Sequence, residues 1–359
     1  MVNLLNNLDR DRFEPHLAVG RAVGPYVDEL AGDVRVHELG AERSRSALPA
    51  LVRVVRGTRA DSVLSTVGLN WATAIARGLF PDGTRVVLRE GSSPSAYLED
   101  RSRRAPRMAT IHRALYPLVY GRADVIVCQS KFMKHDLEVS LGVRGPEIRV
   151  VPNPVDTSRV LGAMGQPCPV DDRPGPHVVS VGRLAPEKAV DVLLAAFFRL
   201  RQRLPAAQLW VLGDGPERQS LERMAVDLDL EGAVHFQGTV TNPFAFMARA
   251  DVFVSASRYE GLSNAVLEAL VCGTPVVATS CPSGITEIIE PGHNGWLAAP
   301  GDDADGLSAT LLHAIGSGDD IDRIRIRTDA VARWDVGPVV RTYEALLEGS
   351  HQKCLSNEG

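Results

Sequence analysis

The feature that most constrains this chain is an alternation of short β-rich runs with helical patterns, in two successive series. The first series has strand-like runs at 16–20, 34–39, 62–67, 85–88, 124–128 and 148–151. This alternation predicts a parallel sheet covered by helices. The second series begins at 177–181 and continues through 208–212, 233–236, 252–255 and 275–278, with helices predicted over 190–204 and 263–271. Between them, Pro167, Pro169, Pro174 and Pro176 interrupt any period, so 156–176 reads as a linker. A length of 359 residues suits two α/β domains. The expected organisation is an N-terminal α/β domain over 1–155, a second over 177–330, and a late helix at 334–347 within a C-terminal segment 331–349.

Composition narrows the function classes. The chain is 45% hydrophobic and 23% charged, and no apolar stretch approaches the roughly 20 residues of a membrane-spanning helix. Polar Asn6-Asn7 follow at once on Met1-Val-Asn-Leu-Leu5, which lacks the pattern of a secretion signal. A cytoplasmic protein is expected. The five cysteines (128, 168, 272, 281 and 354) are scattered, with no paired spacing for a metal or redox site, and read as packed thiols. Residues 1–156 carry 22 Lys+Arg against 18 Asp+Glu, a balance of +4 within an overall −5. That excess is too small for a nucleic-acid binder.

Three segments of the second series carry chemistry. Strand 177–181 runs into Gly182-Arg183-Leu-Ala-Pro-Glu-Lys188, which places two cations five residues apart where a loop enters a helix. Arginine forks onto phosphate oxygens and lysine supplies a compact charge, so the pair suits a diphosphate; a solvated helix start explains the same residues taken alone. Lys188 is one of only four lysines against 35 arginines. Strand 208–212 leads into Gly213-Asp214-Gly215-Pro216, whose glycines allow a tight turn or close ligand approach. The third segment, from Ser255 to Leu270, joins Glu260 to Gly261, Leu262, Ser263 and Asn264 at a predicted helix start, with Glu268 inside the helix. Amides at a helix N-terminus favour phosphate, and the apolar residues around Glu268 argue against a merely solvated carboxylate.

In this order the elements resemble the family-4-type retaining glycosyltransferases with the two-domain B fold. The resemblance runs from Val178 to Gly301 and includes the Arg183-to-Lys188 spacing, Gly213-Asp-Gly-Pro216, Glu260-x7-Glu268 and 269–278. It implies two facing Rossmann-like domains and a donor that is a UDP-, GDP- or ADP-sugar. Arg183 and Lys188 would then neutralise its diphosphate, Glu268 would hold the ribose and Glu260 would engage the transferred sugar. The resemblance also implies transfer with retention to a carbohydrate or lipid-linked acceptor, in polysaccharide or glycolipid assembly, with no cofactor and no metal. It further implies that the late helix crosses back to the first domain. Glu287 and Asn294-Gly295 fall where the family continues. The first half matches more loosely, through Leu88-Arg-Glu90 and Cys128-Gln-Ser-Lys-Phe132. Family relatives often have a functional histidine in that half. The 67–70 stretch has none, and His112 is read as packed or solvated.

Two expectations concern the first half. Met1–Leu8 reads as the later part of the family's first helix, so a first strand and Gly-rich loop, about 20 residues, are expected to be missing. The competing function is therefore a weakly active or inactive homologue that only binds nucleotide sugar or a partner. Arg101, Arg103, Arg104, Arg107 and Arg113, interleaved with Met108, Ile111 and Leu115, read either as a solvated face or as a patch that approaches anionic lipid at the inner face of the membrane. A dinucleotide oxidoreductase lacks its Gly-x-Gly-x-x-Gly fingerprint here, and a sugar-nucleotide epimerase fits the segment from Glu260 to Glu268 less well. The pair Asp9 and Asp11, beside Arg10 and Arg12, reads as surface rather than a metal site.

Overall fold

In the computed structural model, residues 1–41 and 44–349 are described. They form two compact units: Met1–Pro154 with the segment from Val336, and Val155–Asp335.

In the first unit, β1 (His16–Val19) pairs in parallel with β2 (Arg35–Glu38). A separate four-stranded parallel sheet runs in the order β3 (Ser62–Thr66), β4 (Arg85–Arg89), β5 (Val125–Cys128), β6 (Glu147–Val150). Every residue of β5 is buried, as expected for a parallel strand covered on both faces. The period of two assigns the faces. Val86, Leu88, Ile126 and Cys128 pack with Leu51 and Val55 of the helix Ser44–Thr58 and with Tyr116, Val119 and Tyr120 of the helix Pro106–Tyr120. Val87, Val125 and Val127 point the other way, onto Leu4 and Leu8 and onto Val339, Val340 and Tyr343 of the helix Val336–Glu348. The chain's last described helix thus completes the core of its first unit. Polar contacts fix it there: the Asp9 amide donates to the buried Glu344 carboxylate at 2.8 Å, and Arg89 Nε donates to Tyr343 Oη at 3.1 Å. Residues Val2–Asn7 are helical.

The second unit is one six-stranded parallel sheet in the order β12-β11-β10-β7-β8-β9. Its strands are β7 (His177–Val181), β8 (Gln208–Leu212), β9 (Val234–Gly238), β10 (Val252–Ser255), β11 (Val276–Thr279) and β12 (Gly295–Ala298). The sixth strand was not expected, because the β-rich runs of the second series end at 275–278. Gly295 is instead a strand residue whose missing Cβ lets β11 approach: an added Cβ would lie 2.1 Å from the Val276 carbonyl oxygen. The stretch 156–176, expected as a linker, belongs to this unit. Asp156 caps the helix Thr157–Ala163 by accepting from the Arg159 amide, and Val160 and Val170 are buried in the unit's core. The expected helix at 334–347 begins later. Arg323–Trp334 is a helix of the second unit, and the helical run is interrupted at Asp335, which bridges to Val155 and accepts from Thr157 Oγ1.

Candidate functional site

In the second unit the strand order turns back on either side of β7, and ligands of open α/β sheets bind beyond the C-terminal strand ends at such a point. A hollow lies there, lined by Gly182, Arg183, Lys188, Ala256, Ser257 and Ser263, from the ends of β7 and β10.

Lys188 closes the 3-10 turn Pro186–Lys188 that follows β7. Its ammonium forms a close ion pair with Glu260 Oε1, and the two side chains are 25% and 16% exposed. Two residues 72 positions apart therefore meet at the hollow, largely removed from water. Gly182 sits under the Lys188 stem: a Cβ there would be 3.7 Å from Lys188 Cε. Arg183, 66% exposed, pairs with Glu187. Its charge is at the hollow, where the first segment was expected to place it, but is already engaged locally.

The turn Gly213-Asp214-Gly215 lies against the loop 182–184. Gly182 donates to the Leu212 carbonyl at 2.9 Å and Leu184 to the Asp214 carbonyl at 2.9 Å. Gly213 has φ of 127°, and its Cβ would fall 2.0 Å from the Gly182 oxygen, while that of Gly215 would fall 2.3 Å from the Leu184 oxygen. Both glycines are thus required by the packing of one loop on another. Asp214 is turned to its own chain, accepting from the Gly215 amide at 2.7 Å and from Arg218 at 3.2 Å.

The third segment follows β10. Gly261 and Leu262 are buried, Ser263 is the N-cap of the helix Asn264–Val271, and Asn264 is its first residue. Glu268 lies one turn into this helix and is half-buried. Burial, and then the nearby Glu268 carboxylate, push the Cys272 thiol up to about 12. Glu287 closes the turn Ile285–Glu287, and its carbonyl accepts from Arg333 at 3.0 Å.

Sequence reasoning missed Arg258, two residues before Glu260. Its Nε reaches Asp302 at 2.7 Å, Nη1 the Pro186 carbonyl at 2.5 Å and Nη2 Asp191 at 2.8 Å, and its amide donates to the Glu187 carbonyl at 2.8 Å. The signal available was an arginine inside the most informative segment.

In the first unit, Glu90 and Gln129 stand at the ends of β4 and β5, both buried. Glu90 accepts from Tyr120 Oη at 2.6 Å, and its backbone carbonyl accepts from Gln129. Burial raises the Glu90 carboxyl above its ordinary range, only partly opposed by the Tyr120 hydrogen bond. His112 is half-buried against Trp71, with ring centroids 5.0 Å apart, and burial lowers its pKa. Cys128, Cys272 and Cys281 are buried thiols and Cys168 is half-buried, while Cys354 lies outside the described residues.

Two parallel α/β units, each built on its own sheet, are the architecture of the B-fold glycosyltransferases. The description Glycosyltransferase Family 4 matches residues 1–159, and Glycosyl transferases group 1 matches residues 175–317. The chain belongs to the family-4-type glycosyltransferases. It is 36% identical over 194 residues to the lipopolysaccharide core biosynthesis glycosyltransferase LpsE of Rhizobium meliloti (strain 1021), covering 54% of each chain. It is 29% identical to the N-acetylgalactosamine-N,N'-diacetylbacillosaminyl-diphospho-undecaprenol 4-alpha-N-acetylgalactosaminyltransferase of Campylobacter jejuni, over 64% of this chain and 60% of that one. The chain thus spans only about half the length of curated relatives it matches. In fold it resembles the Anabaena protein HepE, solved with UDP and glucose, with a TM-score of 0.75 at 20% identity over 97% of this chain and 94% of that one.

Proposed function

We propose that this protein transfers a sugar from a nucleoside diphosphate sugar to an acceptor hydroxyl with retention, in polysaccharide or glycolipid assembly. The observation that carries this reading is the Lys188–Glu260 pair at the hollow beside β7. A donor's outer phosphate is a better partner for the ammonium than a single carboxylate, so binding releases Glu260 toward the sugar. The acceptor oxygen then bonds to the anomeric carbon as that carbon's bond to the phosphate oxygen breaks on the same face, and the acceptor proton passes to the departing phosphate. Lys188 and Arg183 stabilise the charge that develops there. Glu268 holds the ribose, and the amides at Leu262, Ser263 and Asn264 face the diphosphate. Relatives named for lipopolysaccharide core and undecaprenol-linked sugars support a carbohydrate or lipid-linked acceptor.

Thermal-shift screening against UDP-, GDP- and ADP-sugars tests the donor, followed by NMR of the anomeric configuration of the product. One of the three is expected to stabilise the protein and to give a retained product. No stabilisation by any of them, or an inverted product, would overturn the reading. The charge at the diphosphate comes from side chains, so transfer is expected to proceed undiminished in EDTA, and loss of turnover on chelation would show a metal requirement.

Peripheral contact with an anionic membrane is part of the same reading. Among the described residues no helix is long and apolar enough to cross a membrane. On the helix Pro106–Tyr120, however, Met108, Ile111, Leu115 and Leu118 are all exposed at helical spacing, beside exposed Arg103 and Arg107. Such a stripe suits the boundary between headgroups and acyl chains. Co-sedimentation with phosphatidylglycerol vesicles, lost when Ile111 and Leu118 become Ser, is the expected result; equal binding to neutral vesicles would remove this part.

A further inference from the structure

The Pro186–Lys188 turn is an awkward place from which to aim a cation. It ends on Ala189 at φ 50°, ψ 42°, a left-handed backbone that a residue with a Cβ disfavours, so the turn needs outside support. Arg258 supplies it. Its Nη1 and its own amide hold consecutive carbonyls of the turn, those of Pro186 and Glu187. Its Nη2 holds Asp191 in the first turn of the helix Val190–Arg203, just past Ala189, and its Nε holds Asp302 in the loop after β12. The strained residue is therefore bracketed by fixed points on both sides. Each of the three guanidinium nitrogens already has a protein acceptor, so this arginine is built to brace protein. It also sits two residues before Glu260, which faces Lys188 from the other side of the hollow.

We propose that Arg258 is a positioning residue: it fixes the 186–188 turn so that the Lys188 ammonium stands where the outer phosphate of a nucleoside diphosphate docks. This rests on the donor reading above. A planar fork with three bonded nitrogens does this, and a lysine at the same position cannot reproduce it.

The test is calorimetric binding of UDP, GDP and ADP, each beside its monophosphate, to the full chain and its variants. R258Q is expected to weaken the preferred diphosphate about tenfold while the monophosphate changes less than about twofold, and R258K to fall between. In a K188A background, R258Q is expected to cause no further loss, because the ammonium it positions is gone. Equal losses for diphosphate and monophosphate, or a loss that adds fully to that of K188A, would overturn the proposal, since a merely stabilising arginine predicts both. Should R258Q lose its fold, D302N removes one exposed arm only. A diphosphate-selective loss of about threefold that vanishes with K188A supports the proposal, and wild-type affinity overturns it. If none of the three diphosphates binds the wild-type chain, the donor reading itself fails, a result that no behaviour of R258Q can imitate.

Discussion

Lys188 is the residue on which most depends. Its ammonium is mostly withdrawn from water and held by one carboxylate. On the proposed reading it meets a diphosphate whose charge grows as the sugar bond breaks. Lys188→Ala should then lower kcat/KM by an amount worth at least about 2 kcal/mol, with the loss mainly in kcat. Turnover at saturating donor that matched wild type would remove Lys188 from the reaction. At this scale, legibility followed sequence distance. Lys188, Glu260 and the glycines stand in short motifs, where residue type and spacing are visible together. Arg258 was passed over because its partners, Pro186, Asp191 and Asp302, lie 44 to 72 positions away. Nothing local distinguishes a bracing arginine from a solvated one. The glycines at 213 and 215 were visible as special, but their reason was not: the obstacle to a side chain is the backbone of the 182–184 loop rather than a ligand.

Among the elements, the helix Val336–Glu348 bears the most weight for its size. Tyr343 is 1% exposed, packs among Val87, Val127 and Leu4, and accepts from Arg89. Tyr343→Ala should destabilise the first unit by roughly 3–5 kcal/mol, the usual cost of emptying a large buried aromatic site. Urea unfolding with an unchanged midpoint would show that the helix is an accessory. The apolar strands were readable because burial on both faces leaves a continuous run of large residues, as in β5 and β10. β12, of the same length, was not, since it opens on a glycine and closes on an alanine. The stretch 156–176 was misjudged for a related reason. Its prolines suggested a linker, whereas a capped two-turn helix with Val160 and then Val170 buried in the core folds it down.

For the molecule as a whole, two buried groups, one in each unit, respond to pH in opposite directions. In the second unit His235 packs at a tilt on Trp210, with ring centroids 4.3 Å apart, and burial lowers its pKa from 6.5 to about 4. Between those values the unfolded chain takes up a proton that the folded one refuses, so stability is full above about 6.5 and is lost as pH falls toward 4. Glu90 in the first unit is raised by burial above 4.5. Stability there is full below 4.5 and declines as pH rises from 4.5 toward the raised value. Hydrogen exchange followed unit by unit should show the second unit loosening on mild acidification, with His235→Gln flattening that response. A slope unchanged by the substitution would place its origin elsewhere. The chain's route through these cores also sets an order of assembly. The Asp9 amide finds its acceptor 335 residues later, at Glu344, whereas every strand of the second unit comes from one unbroken span, Val155–Asp335. On the ribosome, that span can finish its sheet while the first unit, though synthesised earlier, still waits for the helix that closes its core. The part made first is the part completed last, and until then Val87, Val125 and Val127 are the apolar surface that a nascent chain must keep from its neighbours.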